Sequence, residues 1–250
     1  MITVSGKELD AGRFSEFASG SLEKSILSSM ASGSGTYAFD TAAQLKFELS
    51  LRKEIVACAV SLNRSGLEFS IFRDASANPA YWEVTREGGF SLRRGADPSK
   101  AILDIFLNGR AYATECATAM MIVLYGALIR EYGENRFNHL FPKIELMNWR
   151  RLDPRLQSFG MLDRKSDYFP GDRRYFANPD VDPLTPQWQG ENVIELGGGL
   201  FYGHGVGILS AAPILRSLNQ NRVAGARRSA YLMNAAGRPD FLSLSQLSLT

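Results

Sequence analysis

The sequence predicts an α+β fold, an antiparallel sheet packed against helices with one central buried helix, and three stretches carry that prediction. The first is Ala117 to Ile129, thirteen residues without a charge. A helix that is apolar on every face is wrapped by protein rather than laid on a surface, and this run falls short of the roughly 18 to 20 residues that cross a bilayer. The second is the recurrence of Leu45, Leu49, Arg52, Val56, Ala59 and Val60 at helical spacing, the pattern of a long amphipathic helix. The third is a pair of hairpin signals. Tyr81 to Arg86 turns through Glu87-Gly88-Gly89 into Phe90 to Arg93, and Gln187 to Leu196 turns through three glycines into Leu200 to Gly207; glycines between alternating apolar residues mark such turns.

A chain of 250 residues, 45% hydrophobic and 22% charged, is expected to form one large domain over residues 1–250 with an ample core. A net charge of +2 is too small to argue for nucleic acid, and the pairs Arg150-Arg151, Arg173-Arg174 and Arg227-Arg228 read as solvated surface residues. Two cysteines and two histidines without metal-ligand spacing exclude a structural zinc site of the usual kind. A disulfide between Cys58 and Cys116 is left open. The amino terminus shows no basic stretch leading into a long apolar segment, so no signal peptide is read, and a cytoplasmic origin with free thiols is expected.

In chain order, residues 1–39 read as a loose amino-terminal arm, because Ser15 to Thr36 is rich in serine and glycine. Asp40 is placed as N-cap of the long helix and Gly66 as its stop. Leu67 to Arg73 reads as a strand, and Ser99, after Pro98, caps a short helix to Leu107. Thr114 is placed as N-cap of the central helix, with Arg130 and Gly133 at its end, so Cys116 falls in the first turn. Pro142 to Trp149 alternates as a strand. Leu152 to Asp182 reads as a long loop pinned by Phe159, Tyr168, Phe169, Tyr175 and Phe176, and loops of that length usually serve a site. Pro213 to Leu218 reads as a helix and Ser229 to Asn234 as the last strand, while the tail from Pro239 carries no signal.

Cys116 is the residue with the clearest chemistry. Unpaired N–H groups and the positive end of a helix dipole favour a thiolate, although free cysteines are often inert core residues, as Cys58 within Ile55 to Val60 is read to be. A two-residue turn in the second hairpin sets Glu191 against His204, and a three-residue turn shifts the pair by one position. His204 is then a base, an orienting group or a satisfied buried imidazole, and the sequence leaves the three open. His139 is read as structural. Glu115 at a helix start also fits a dipole-complementing surface residue, and Trp149 and Trp188 also fit core or rim aromatics.

A cysteine opening a helix, followed downstream by antiparallel strands with a histidine, is the plan of papain-like enzymes. More specifically, Tyr112-Ala113-Thr114-Glu115-Cys116-Ala117-Thr118-Ala119, Gln187-Trp188-Gln189-Gly190-Glu191-Asn192-Val193-Ile194 and Phe201-Tyr202-Gly203-His204-Gly205-Val206-Gly207-Ile208-Leu209 resemble the spore-coat protein-glutamine gamma-glutamyltransferases, the transglutaminases of spore-forming bacteria. The resemblance extends to Phe47 to Arg52, Pro98 to Ile102 and Ser229 to Leu232, and so spans most of the chain. It implies a cell-wall-peptidase-like relative of papain in which Cys116 is the nucleophile, Glu191 its principal partner and Glu115 a partly redundant second carboxylate. It places Phe69, Trp149 and Trp188 along a narrow tunnel, with His204 grouped at the same substrate site. It also implies calcium-independent catalysis with no cofactor and no metal. The expected substrates are spore-coat proteins bearing reactive glutamine and lysine, with neither nucleic acid nor membrane as partner, and the location is the mother-cell cytoplasm and then the spore coat. Asn148 stands where that family is expected to carry an aspartate, and the segments before Asp40 and after Pro239 match poorly.

The residues make chemical sense of this on their own. A thiol and a carboxylate differ by roughly 4 pKa units, or about 6 kcal/mol, so an ordinary glutamate is a poor base for a cysteine. Burial beside Trp188 and Val193 and repulsion from Glu115 are expected to raise Glu191 while the helix start lowers Cys116, letting the two share a proton. The expected reaction is an acyl transfer through a thioester, with first-turn N–H groups stabilising the oxyanion. Two rivals stand beside it: a papain-like amidase or peptidase using Cys116 and His204, and a non-enzymatic structural protein.

Overall fold

The computed structural model describes residues 1–12, 14–149 and 151–248. Its amino-terminal part is ordered where a loose arm is expected. Strand β1 (Ile2–Val4) pairs antiparallel with β2 (Lys7–Glu8) and in parallel with β3 (Tyr37–Phe39), and helix α1 (Leu22–Ser32) lies between β2 and β3 in the chain, capped by Ser21. Ile2, Ile26, Leu27 and Met30 are buried against Leu45, Leu49 and Phe169. A few well-spaced apolar side chains therefore order a segment whose serines and glycines suggest the opposite.

Helix α2 (Ala42–Arg64) is the expected amphipathic helix, capped by Thr41 rather than Asp40. Strand β4 (Glu68–Phe69) is shorter than expected because the chain leaves it for a 3-10 turn at Phe72–Asp74. The first hairpin forms as β5 (Trp82–Val84) and β6 (Phe90–Leu92). Helix α3 (Pro98–Leu107) is capped by Asp97, with the fixed φ of Pro98 opening the first turn. Strand β7 (Ala113–Thr114) pairs in parallel with β4 and leads directly into α4 (Cys116–Tyr132), buried from Ala117 to Ile129. Its N-cap is Glu115, one residue later than Thr114. Helix α5 (Glu134–Leu140), strand β8 (Glu145–Leu146), which adds to β6, and the single turn α6 (Gln157–Gly160) follow.

The stretch read as one long loop contains β9 (Arg173–Ala177), an inner strand of the main sheet. With β10 (Gly190–Gly197), β11 (Leu200–Gly203), β12 (Gly207–Ser210) and β13 (Tyr231–Leu232) it forms an antiparallel sheet in the order β12-β11-β10-β9-β13. Helix α7 (Ala211–Gln220) leaves this sheet, and α8 (Phe241–Leu247), in the tail that carries no sequence signal, packs on α2. The central helix α4 is enclosed by α2, α3, α5 and β10.

The second hairpin turns on Gly198 and Gly199, at φ 60° and 76°, the left-handed pair that a tight hairpin turn requires. A bulge between Glu195 and Gly197 shifts the ladder by one residue from the expected register, so Val193 pairs with Gly203 and Ile194 with Tyr202. Glu191 therefore does not face His204 across the strands; its backbone partner is Phe176 of β9. Arg173 and Arg174 are buried, not solvated, whereas Arg228 is exposed and pairs with Asp180; Arg150 lies outside the described residues. Cys58 and Cys116 are both free thiols. Among the described residues, no helix is long and apolar enough to cross a membrane.

Candidate active site

The site forms where β7 runs into α4. Glu115 leaves the strand in an extended conformation and folds its carboxylate back over the helix start. It accepts the N–H groups of Ala117 (2.6 Å) and Thr118 (2.7 Å) and the Thr118 hydroxyl (2.6 Å). A negative group at this end complements the helix dipole, but it also occupies the donors expected to serve the thiol and an oxyanion. Cys116 opens the helix with its sulfur surrounded by protein atoms. Its thiol is pushed up, not down, first by burial and then by the charges of Glu191 and Glu115, while hydrogen bonding from Asn192 pulls the other way. The expectation that the helix start lowers this thiol is thus overturned, first by burial and then by the two carboxylates, one of them the cap itself.

Glu191, in β10, is 5% exposed. Burial, then repulsion from Glu115, holds its carboxyl well above the usual range. Its Oε1 is buried with no hydrogen-bond partner among the described residues. Gly203 makes room for this carboxyl, since a Cβ there would stand 2.9 Å from Oε1 and 2.6 Å from a methyl of Val206. The negative form of this carboxyl in turn makes ionisation of the Cys116 thiol harder.

Two residues missing from the sequence reading complete the surroundings of the sulfur. Asn192 Nδ2 lies 3.4 Å from Cys116 Sγ, and its Oδ1 accepts from Arg173 at 2.8 Å. Asn192 stood inside a recognised motif, one residue after Glu191. Nothing in the sequence separates Arg173 from the solvated arginines.

The aromatic residues surround this centre unequally. Trp149 is half-buried, with the Arg173 guanidinium 4.4 Å from its ring, Phe159 edge-on at 6.2 Å, and Gly160 close beneath it. The preceding Asn148 sits at φ 39°, and its N–H donates to the Thr118 hydroxyl at 3.1 Å, tying the Trp149 loop to the cap of α4. Phe69, in β4, is exposed and lies 5.9 Å from the His204 ring and against Gly205. Trp188 ends a 3-10 turn and packs with Phe176, Val193 and Phe201 on the far face of the sheet.

His204 is buried, its Nε2 3.1 Å from the Glu68 carbonyl and its Nδ1 3.5 Å from the Tyr202 hydroxyl. Burial pushes its pKa down to about 4, so the ring is neutral at pH 7. A neutral ring donates from Nε2 and accepts at Nδ1, which fits these two partners. Cys58 is buried between α2 and α4, where burial pushes its thiol up to about 12.

The chain matches the family described as protein-glutamine gamma-glutamyltransferase over residues 1–248. A protein of that name from Bacillus mycoides (strain KBAB4) is 45% identical over 224 residues, 90% of this chain and 80% of the relative, and one from Bacillus cereus (strain B4264) gives the same figures. The solved structure of a transglutaminase from Geobacillus stearothermophilus, without its C-terminal extension, superposes with a TM-score of 0.77 at 44% identity, covering 83% of this chain and 98% of the other.

Proposed function

Because the chain belongs to the protein-glutamine gamma-glutamyltransferase family and is an acyltransferase of that type, we propose that Cys116 and Glu191 carry out the transfer, with Glu115 as a second carboxylate. In the reactive state the pair holds one proton. Cys116 thiolate attacks the side-chain amide carbon of a protein glutamine, and protonated Glu191 gives its proton to the departing NH₂, releasing ammonia and leaving a thioester. A neutral lysine amine then attacks the thioester, its proton passes to Glu191, and the thiolate leaves. The product is an ε-(γ-glutamyl)lysine cross-link, and the pair is back in its starting state. The scheme routes no step through a metal or cofactor.

The observation that carries this reading is a buried carboxyl held well above the usual carboxylate range, whose charge acts on a half-buried free thiol at a helix start. The position of His204 argues against the hydrolase alternative, since both ring nitrogens are engaged away from the sulfur. Phe69 and Trp149 are proposed as walls that exclude water from the thioester, and Trp188 and His204 as supports of those walls. Proteins with reactive glutamine and lysine are the joined substrates, and the resemblance of the sequence motifs to those of spore-coat enzymes is the ground for proposing coat proteins among them. It likewise supports synthesis in the cytoplasm followed by residence in the coat.

Incubation with a glutamine-bearing protein and a labelled primary amine tests the reading. The expected result is amine incorporation by the wild type and none by Cys116→Ala. Acid formation without incorporation indicates the hydrolase, and incorporation by Cys116→Ala removes Cys116 from the chemistry.

A further inference from the structure

Arg173 is a buried cation without a carboxylate. It is 1% exposed, and its guanidinium donates to the carbonyls of Phe159 (2.7 Å) and Gly160 (2.9 Å) and to Asn192 Oδ1 (2.8 Å). The equally enclosed Arg52 and Arg174 each reach an acid, Asp172 and Glu195, both at 2.8 Å. Among the described residues no such acid meets Arg173. A desolvated charge left unpaired is costly, and burial lowers its pKa to about 10, opposed first by the negative form of Cys116. Through Asn192 this cation is linked to the Cys116 sulfur, 3.4 Å from the amide nitrogen.

The amide between them has only one workable orientation. Arginine donates and never accepts, so the Asn192 oxygen must face Arg173 and its Nδ2–H groups must face the sulfur. The two residues come from neighbouring strands, β9 and β10, whose register pairs Arg173 with Ile194 and Asn192 with Tyr175. Both side chains thus stand on the face that meets the start of α4. Meanwhile the Ala117 and Thr118 N–H groups are bound to Glu115.

We propose that Asn192 is a catalytic residue whose Nδ2–H holds the Cys116 sulfur as a thiolate, before attack and again when the amine expels it, and that Arg173 is the positioning residue that aims it. The inference rests on Cys116 being the nucleophile. It assigns to a strand amide the stabilising role expected of first-turn N–H groups. The other charged or titratable groups acting on the thiol and its surroundings are Glu115 at the helix cap, Glu191 on β10 and Tyr175 on β9.

The test is the pH dependence of Cys116 alkylation by iodoacetamide, read by mass spectrometry of the Cys116 peptide, beside steady-state amine incorporation. Wild type is compared with Asn192→Ala, Asn192→Asp, Arg173→Lys and Cys116→Ala. Loss of a charge-assisted donor is expected to raise the alkylation midpoint by about one pH unit and lower kcat by roughly 10- to 100-fold. KM for the glutamine protein should change little. Asn192→Asp should be worse than Asn192→Ala because it adds a negative charge beside the sulfur. A folded Asn192→Ala with an unmoved midpoint and wild-type kcat overturns the proposal. If that variant does not fold, Arg173→Lys decides, since it keeps the cation but loses the fork that aims the amide, and an unmoved midpoint there overturns the proposal equally. An inactive Cys116→Ala beside wild-type-like Asn192 variants leaves the nucleophile in place and removes only Asn192. Incorporation by Cys116→Ala removes both.

Discussion

Glu191 keeps a proton that an ordinary glutamate gives up, and that has a thermodynamic sign. Its folded pKa lies above the unfolded 4.5, so between those values the folded state binds more protons than the unfolded chain and stability falls as pH rises. Glu191→Gln carries no such charge. It should therefore abolish amine incorporation while its Tm relative to wild type climbs from pH 4 toward alkaline pH, as thermal melts across that range will show. Glu115→Gln makes a complementary case. The Gln oxygen still caps α4, but the charge that raises both Cys116 and Glu191 is gone, so the ascending limb of the pH profile of kcat/KM should move to lower pH. His204 has the opposite sign from Glu191. Its pKa falls from 6.5 to about 4 on folding, so stability present above pH 6.5 is lost as pH falls toward 4, by about 3 kcal/mol at most. His204→Gln keeps an Nε2 donor for Glu68, and should flatten that acid loss while retaining substantial turnover; an inactive but folded variant favours the hydrolase alternative.

At the scale of elements, the hairpin of β10 and β11 shapes the space that the Glu191 carboxyl occupies. Gly203→Ala puts a methyl 2.9 Å from Glu191 Oε1 and 2.6 Å from Val206, so the carboxyl must move. A drop in kcat of more than about tenfold is expected with a stability cost of roughly 1 to 3 kcal/mol, measured by incorporation kinetics and urea denaturation. Elements that declare themselves by periodicity were legible: the uncharged α4, the amphipathic α2 and both hairpins. Strand β9 was not, because its inward positions include Arg173, whose burial depends on carbonyls of Phe159 and Gly160 that only the folded chain supplies. The same holds for the site. Cys116, Glu115 and Glu191 were singled out as candidates from motifs, but the register of Glu191 depended on a bulge at Glu195 and Gly197 that no local pattern announces. The direction of the Cys116 shift was missed because burial and the charges of Glu191 and Glu115 outweigh what a bare helix end does.

Across the whole molecule, the main sheet, α2 and the carboxyl-terminal segment are joined at one buried acid. Asp172 accepts from Arg52 of α2 and from Arg238 ahead of α8, and it also takes the N–H of Phe169. Asp172→Ala leaves Arg238 without this carboxylate and Arg52 with Glu48 alone, a loss of about 3 to 5 kcal/mol, seen as a lower urea midpoint. Asp167, five residues earlier, fastens the amino-terminal unit through Ser34, Gly35 and Tyr37. These two anchors steady the framework that brings β9 and β10 to the start of α4. The upward shift of the Cys116 thiol has an outcome beyond cross-linking. Peroxides consume cysteine sulfur chiefly in its ionised form, so a smaller thiolate fraction slows oxidative loss of this sulfur.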